Sequence, residues 1–250
     1  MAGRSLQQEQ IDRAAELIKS ARFVIALTGA GVSVASGIPD FRSPGGLWSR
    51  HDPEKVASIR ALQKDPAVVW TFLLDAYRMM RAAEPNAAHI AFAQLEQGGF
   101  LQAVITQNID GLHQRAGSGR VVEFHGNCSE YYCMECFVPF DREKIEGSEL
   151  PVRCPSCDGV IRPDLVFFGE SIPSEAYREA FLLAEEADLV IVAGTSGEVV
   201  PASLIPPLVQ DAGGKIIEIN YGPSAYESRS DVLLKGQVEQ VLPLIVQKLV

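Results

Sequence analysis

The sequence predicts a doubly wound parallel α/β fold with a smaller lobe inserted into it, and three observations carry that prediction. Short apolar runs rich in strand formers alternate with helical stretches along most of the chain. The first such run, Phe23-Val-Ile-Ala-Leu27, leads directly into a glycine turn, Thr28-Gly29-Ala30-Gly31. Two segments break the alternation, and the second of them holds all 5 cysteines.

Taken in order, Ser5 with Gln8 reads as a capping box, and Leu6, Ile11, Ala14, Ala15 and Ile18 recur at helical spacing, which predicts a helix over 6–20. Strands are predicted at 23–27, 101–105, 121–124, 165–168, 189–193 and 216–219. Those with few polar residues read as strands covered on both faces, hence as parallel. Helices are predicted at about 88–98, 174–187, 200–212 and 238–249, the last carrying Val238, Val241, Leu242, Ile245 and Leu249 on one face. The large domain is therefore expected from 1–40, 88–125 and 160–250, and a small domain from 41–87, a helical module, with 126–159, a cysteine ribbon.

Composition narrows the function. The 250 residues are 47% apolar, ample for a buried core, and 22 Lys+Arg stand against 32 Asp+Glu for a net charge of −10. A polyanion binder needs a basic surface, so no nucleic-acid or anionic-membrane partner is expected. The start has no apolar targeting segment, and no apolar run reaches about 18 residues. A soluble, cytoplasmic, thiol-reducing setting follows as the expectation, and there paired cysteines are more often metal ligands than disulfides.

Thr28-Gly29-Ala30-Gly31-Val32-Ser33 suits a dinucleotide, since glycines let the backbone approach a ligand and the following helix offers amide groups to phosphate. It is not the common fingerprint: Val34 stands at the third glycine position, and loop sequence replaces the acidic ribose-binding residue about 20 positions on. A hydride-transfer dehydrogenase is disfavoured, while a ligand-free tight turn remains open.

Cys133-x-x-Cys136 and Cys154-x-x-Cys157 are separated by 17 residues, the spacing of a tetrahedral four-thiolate zinc site. Redox pairs and unpaired buried thiols are the competing readings. Four thiolates leave no open coordination position, so one structural Zn²⁺ is expected. Cys128 falls outside the pattern and reads as a small buried residue. The acidic surroundings, Glu130, Glu135, Asp141, Glu143, Glu146 and Glu149, argue against a nucleic-acid ribbon.

The remaining polar groups sit where predicted strands end: Thr106-Gln107-Asn108-Ile109-Asp110-Gly-Leu-His113, His125-Gly-Asn127, Gly194-Thr195-Ser196 and Asn220. Ligands of open parallel sheets bind at that edge. Asn108 and Asp110 also fit helix caps, and His113 reads more readily as structural. His125, placed directly after a strand, titrates in the range suited to a general base.

With Gly29–Ser33, Gly37-Ile-Pro-Asp40-Phe41-Arg42, Thr106–Asp110, His125-Gly126, the two cysteine pairs, Phe168-Gly169-Glu170 and Gly194–Ser196 all in order, the chain resembles the sirtuin family from about residue 10 to 248. The resemblance implies an NAD-dependent protein lysine deacylase with a Rossmann-like lobe and a smaller zinc-binding, helical lobe. It implies that Gly29, Ala30, Gly31 and Ser33 cradle the pyrophosphate, and that Asp40, Phe41 and Arg42 belong to a mobile cofactor loop. Asn108 and Asp110 would line the nicotinamide pocket and share in catalysis, with Ile109 between them and Gln107 near the ribose. His125 would be the base that activates a ribose hydroxyl, so that the acyl group ends on ADP-ribose. Gly194, Thr195, Ser196, Asn220, Tyr221 and Gly222 would hold the adenosine half, with the backbone at Val238 facing adenine. An acyl-lysine protein or peptide would add as a strand against Val166, Phe168, Gly169 and Glu170 on one side and Gly197 and Val199 on the other. A monomer is expected. ADP-ribosyl transfer, NAD hydrolysis and a non-enzymatic NAD sensor are the competing readings.

Two departures from the family pattern stand out. Gly197-Glu198 follows Ser196 where the family usually has an apolar residue, and Glu198 is expected to favour basic flanking residues. Sirtuins that remove acidic acyl groups carry Tyr-x-x-Arg in the helix before Pro85-Asn86, whereas an ungapped alignment puts Leu73 and Ala76 there. Without a cation to pair it, a buried succinyl carboxylate is costly, so acetyl and longer apolar acyl groups are expected to be preferred. Arg78 is the nearest cation in sequence.

Overall fold

The computed structural model describes residues 6–249. The capping box on Ser5 lies outside the described residues. Helix α1, Leu6–Ser20, buries Ile11, Ala14, Ala15 and Ile18 of the predicted stripe, while Leu6, in its first turn, is exposed. Strand β1, Val24–Thr28, is buried at every residue and runs into a 3₁₀ segment, Ala30–Ser36. Three helices follow, α2 (Pro53–Val56), α3 (Ile59–Lys64) and α4 (Pro66–Ala82), then α5 (Ala87–Gln97) and β2 (Ala103–Thr106). After α6 (Leu112–Arg115) come β3 (Val121–Glu123), β4 (Gly126–Cys133) and β5 (Ile161–Leu165). The chain closes with α7 (Ser174–Glu186), β6 (Leu189–Ala193), α8 (Ile205–Asp211), β7 (Lys215–Asn220), β8 (Val232–Lys235) and α9 (Val238–Val246).

Six strands form one parallel sheet in the order β3-β2-β1-β6-β7-β8. The chain winds outward in both directions from the β1–β6 pair, so the turns after these two strands open a crevice at the carboxyl edge. One face is covered by α1, α5 and α9, whose Ile11, Phe92, Leu95, Leu242 and Ile245 pack on Ala26, Val104 and Ile191. The other is covered by α7 and α8, with Leu183 and Val209 against Leu27, Ile105 and Val190. A separate core forms the smaller lobe, where Trp70, Leu73 and Tyr77 of α4 pack against Tyr131, Cys133 and Ile161 of an antiparallel β4–β5 pair. The buried Trp70 Nε1–H donates to the Ile161 carbonyl at 2.8 Å, which satisfies an otherwise orphaned donor in that core.

The strand expected at 165–168 is not part of the parallel sheet. Only Leu165 is in a strand, and that strand is β5 of the antiparallel pair, while Phe168 makes one isolated bridge to Ser58. The sixth parallel strand is β8, which pairs Ile217–Asn220 of β7 with Val232–Lys235. The helix expected at 200–212 begins at Ile205 after a 3₁₀ turn at Ala202–Leu204, and the one expected at 238–249 is helical to Val246. Among the described residues no helix is long and apolar enough to cross a membrane.

Candidate active site

The crevice is built on contact between two glycine turns. Gly31 N–H donates to the Gly194 carbonyl at 2.9 Å, and Gly29 N–H to that of Ala193 at 3.1 Å. A Cβ on Gly31 would sit 2.7 Å from Gly194 Cα, and one on Gly29 would sit 2.8 Å from Thr195 Cβ. Gly194 itself holds φ +61°, where side chains are strained. These glycines therefore let the loops after β1 and β6 approach each other at the switch point.

Beneath the turn lies a buried polar network. Asn108 Nδ2 donates to Gly29 O and to Ser33 Oγ, each at 3.1 Å, and Ser33 Oγ donates to Asp110 Oδ2 at 2.7 Å. Asp110 Oδ1 accepts from Leu112 N–H at the start of α6, so one carboxylate holds both that amide and Ser33. Thr28 Oγ1 donates to Thr106 Oγ1 at 2.9 Å and meets His113 Nε2 at 3.0 Å, tying the ends of β1 and β2 to α6. His113 is buried, as its structural reading expects, and its pKa is pushed down to about 3 by burial and then by His89. His89 lies 3.4 Å from Ser33 Oγ, and burial lowers its pKa to about 4 against the raising effect of Asp110. His89 went unread in the sequence. Its signal was Asn86 three residues earlier: the Asn86 side chain caps α5, while His89 Nδ1 accepts from Asn86 N–H.

Gln107 spans the crevice. Its side-chain amide donates to Thr195 Oγ1 at 3.1 Å, and its carbonyl faces His125 Nδ1 at 3.1 Å. A carbonyl only accepts, so Nδ1 carries the proton and Nε2 keeps its lone pair. Burial lowers the His125 pKa, opposed by this hydrogen bond. His125 O accepts from Val166 N–H at 2.9 Å, which places Val166 beside the histidine, and Ile109 O accepts from Cys128 N–H at 3.1 Å.

Across the sheet, Asn220 Nδ2 donates to Thr195 O at 2.8 Å, and Ser196 O accepts from Ala225 N–H at 2.9 Å. Tyr221 is exposed and Gly222 half-buried beyond them. The Val238 side chain belongs to the core, which leaves only its backbone for a ligand.

The outer wall is formed by the segment carrying Asp40, Phe41 and Arg42. Asp40 Oδ1 accepts from the amides of Arg42 and Ser43 at 3.0 and 2.8 Å, which closes the loop on itself. Phe41 stacks on Trp48, and Trp48 lies 6.2 Å from the exposed Phe168. Phe168 is held through its own N–H and O to Ala57 and Ile59, and Gly169 follows with φ +91°. The carboxylate of Glu170 is claimed by Arg162, at 2.5 and 2.7 Å, a buried fork the sequence did not disclose, so Glu170 offers a ligand its backbone alone. Glu198, between Gly197 and Val199, pairs through one carboxylate oxygen with Arg42 Nε at 3.0 Å and stays largely exposed.

Cys133, Cys136, Cys154 and Cys157 bring four Sγ atoms within 4.8 Å of one another, and no disulfide joins them. The Cys133–Cys157 and Cys136–Cys154 separations are 3.5 and 3.7 Å. Tetrahedral Zn–S bonds of about 2.3 Å require sulfurs about 3.8 Å apart, so the residues fit a zinc ion. A Cβ on Gly159 would come within 2.8 Å of Cys133 Sγ, which explains a glycine beside the cluster.

Fold and site together define a nucleotide-binding α/β protein with a four-cysteine metal clamp in its smaller lobe. The sequence pattern of the Sir2 family matches residues 29–201. An NAD-dependent protein deacylase of Thermococcus kodakarensis is 46% identical over 248 residues, covering 95% of each chain. A Sir2 homologue solved with ADP-ribose superposes with a TM-score of 0.92 at 39% identity, covering 95% of this chain and 96% of that one. A Sir2 protein solved with a deacetylated p53 peptide and 3′-O-acetyl-ADP-ribose gives 0.91 at 38% identity, covering 95% and 98%. The chain belongs to the Sir2 family.

Proposed function

We propose that this chain is an NAD-dependent protein lysine deacylase that passes the acyl group to ADP-ribose and releases nicotinamide. The observation that carries the reading is His125: its Nδ1–H is committed to Gln107 O, so its free nitrogen is Nε2, at the sheet edge that also holds Asn108, Asp110 and the glycine turns. The relative named for NAD-dependent deacylation and the neighbours solved with ADP-ribose and a deacetylated peptide support it.

Bound NAD supplies an electrophilic ribose carbon and a departing nicotinamide. With NAD bound, His125 Nε2 would take the proton of a ribose hydroxyl, since burial favours the neutral ring. Asn108 and Asp110 are held by Ser33 and shape the nicotinamide side of the pocket. Gly29, Ala30, Gly31 and Ser33 take the pyrophosphate, Gln107 the ribose, and Gly194 to Ser196 with Asn220, Tyr221, Gly222 and the Val238 backbone the adenosine half. Asp40, Phe41 and Arg42 close the crevice and exclude water from the reacting carbon. The acyl-lysine strand lies between the parallel-sheet domain and the smaller lobe that contains α4, β4 and β5. It pairs with Gly169, Glu170, Gly197 and Val199, near Val166 and Phe168. A zinc ion held by Cys133, Cys136, Cys154 and Cys157 would brace the end of the β4–β5 pair and take no part in the chemistry, because four thiolates leave no open position.

Acetyl and longer apolar acyl groups are preferred over succinyl. Leu73 is buried in the small lobe's core, Ala76 carries no charge, and Arg78 turns outward to Asp75 and Glu146. The test is nicotinamide release with acetyl-lysine peptide, succinyl-lysine peptide and no peptide. Release that requires acetyl peptide is expected. Release without peptide would make the protein an NAD hydrolase, and faster turnover of the succinyl peptide would overturn the acyl preference.

A further inference from the structure

The contact between Arg42 and Glu198 joins the loop on the outer wall of the crevice to the turn after β6. Among the described residues it is the only ion pair or side-chain hydrogen bond linking 38–50 to another part of the chain. Both ends of the pair are delivered on braced backbone. On one side, Leu47 and Trp48 N–H donate to the carbonyls of Asp40 and Phe41, and the Asp40 carboxylate holds the backbone amides on either side of the Arg42 Cα. On the other, Gly197 takes φ +72° against Tyr226, where a Cβ would sit 2.5 Å from Cε2 and 2.7 Å from Cζ of the ring. That close packing directs the chain so that Glu198 leaves the β6 turn toward Arg42.

We propose that Glu198 is a positioning residue for the 38–50 loop: through Arg42 it holds that loop against the turn after β6 and so sets how the loop lies over the crevice. The proposal rests on the reading of the 38–50 loop as part of the cofactor site. Arg42 and Glu198 are 43% and 61% exposed, so the pair is screened by salt and its influence is modest, about two- to fivefold at low ionic strength.

The test compares zinc-loaded wild type with Glu198→Gln in limited trypsin digestion, following cleavage after Arg42 and Arg50. The variant is expected to be cut there about two- to fivefold faster at low salt, with no change at sites elsewhere, and the difference is expected to vanish near about 0.5 M NaCl. In parallel, calorimetry with ADP-ribose is expected to show about two- to fivefold weaker binding by the variant, and steady-state kinetics a matching rise in KM for NAD with kcat within about twofold. Equal cleavage at low salt, or faster cleavage spread over the whole chain, overturns the positioning role. Failure of the wild type itself to bind ADP-ribose overturns the functional reading, and with it the proposal, while the digestion still reports whether the pair restrains the loop.

Discussion

His125 Nδ1 lies 3.1 Å from the carbonyl oxygen of Gln107, and the same Gln107 reaches Thr195 with its side-chain amide. One residue therefore sets the tautomer of the candidate base and spans to the turn after β6. A ring held this way presents a bare Nε2 without needing an acidic partner. Replacing His125 by Ala should lower acyl transfer by about 10²- to 10⁴-fold, the usual worth of a positioned base, while ADP-ribose binding is retained. The pH dependence follows from the sign of the shift. Burial lowers the pKa, so the neutral, active form persists below the ordinary histidine value of 6.5. The acid limb of the kcat profile should fall below that value, and a midpoint above it would contradict the assignment.

Ser33 stands between Asn108 and Asp110, accepting from one and donating to the other. Ser33→Ala leaves a buried amide hydrogen and a carboxylate oxygen without that partner. Losing a buried hydrogen-bond partner costs about 1–3 kcal/mol. If that cost is expressed in positioning, kcat/KM for NAD should drop about tenfold or more, since about 1.4 kcal/mol is a factor of ten. Steady-state kinetics beside urea unfolding will separate the two: a drop in stability with unchanged kcat/KM would assign the network to folding alone.

The central strands were legible because each is buried on both faces, so Val24–Thr28 and Leu189–Ala193 read as unbroken apolar runs. Strand β8 was not, since its four residues end at a sheet edge with Leu233 half-buried and Lys235 exposed. The run Leu165–Phe168 misled for the opposite reason. Its residues are apolar on separate grounds: Phe167 lies beneath the Arg162 guanidinium, and Phe168 is exposed beside Trp48. Candidate positions at strand ends were readable because a parallel sheet gathers all its carboxyl ends at one edge. Pairings such as Arg162–Glu170, Arg42–Glu198 and His89–Ser33 were not, because tertiary packing alone decides which charged or polar groups meet.

The cysteine cluster sits at one end of the β4–β5 pair, where Cys133 and Cys154 are buried in the small lobe's core. Zinc sites of this kind supply roughly 10–16 kcal/mol of apparent binding energy, enough to order so small a core. Chelation, or Cys154→Ser, should therefore speed amide exchange across 126–165 while the central parallel strands stay protected. Metal analysis should give one zinc per chain. Unchanged exchange after complete removal of zinc would show that the lobe folds without it.

Gly31 and Gly194 approach so closely that an added Cβ meets backbone, which cannot swing aside. Gly31→Ala should cost about 1–3 kcal/mol through overpacking and lower the urea midpoint. Gly222→Ala is the matched control, because nothing lies within 4 Å of the place its methyl group would take, and its stability should stay within about 0.5 kcal/mol. A Gly31→Ala protein as stable as wild type would show that the two turns separate at little cost.

The buried histidines make a prediction about acid. His89 and His113 meet edge to face with ring centres 4.9 Å apart, and their pKa values stand at about 4 and about 3 against the ordinary value of 6.5. Desolvation is the main cause in both, and His89 adds to the lowering at His113. A histidine depressed in the folded state binds its proton more readily when unfolded. Between pH 6.5 and about 4 the unfolded chain therefore holds more protons, and stability must fall as pH falls through that window. Each unit of depression corresponds to about 1.4 kcal/mol, so the pair amounts to several kcal/mol. Glu123 works in the opposite sense near the lower end, since burial raises its carboxyl pKa and lets the folded state take up a proton early. His125, Glu170, Asp188 and Glu227, whose pKa values are also lowered, act in the same sense as the two buried histidines, so the loss should dominate. Urea unfolding from about pH 7 to about 4.5 should show a steady loss of stability, and His113→Phe should flatten the slope by about one proton if the ring is accommodated. A stability curve level across that range would mean that these rings do not stay neutral and buried together.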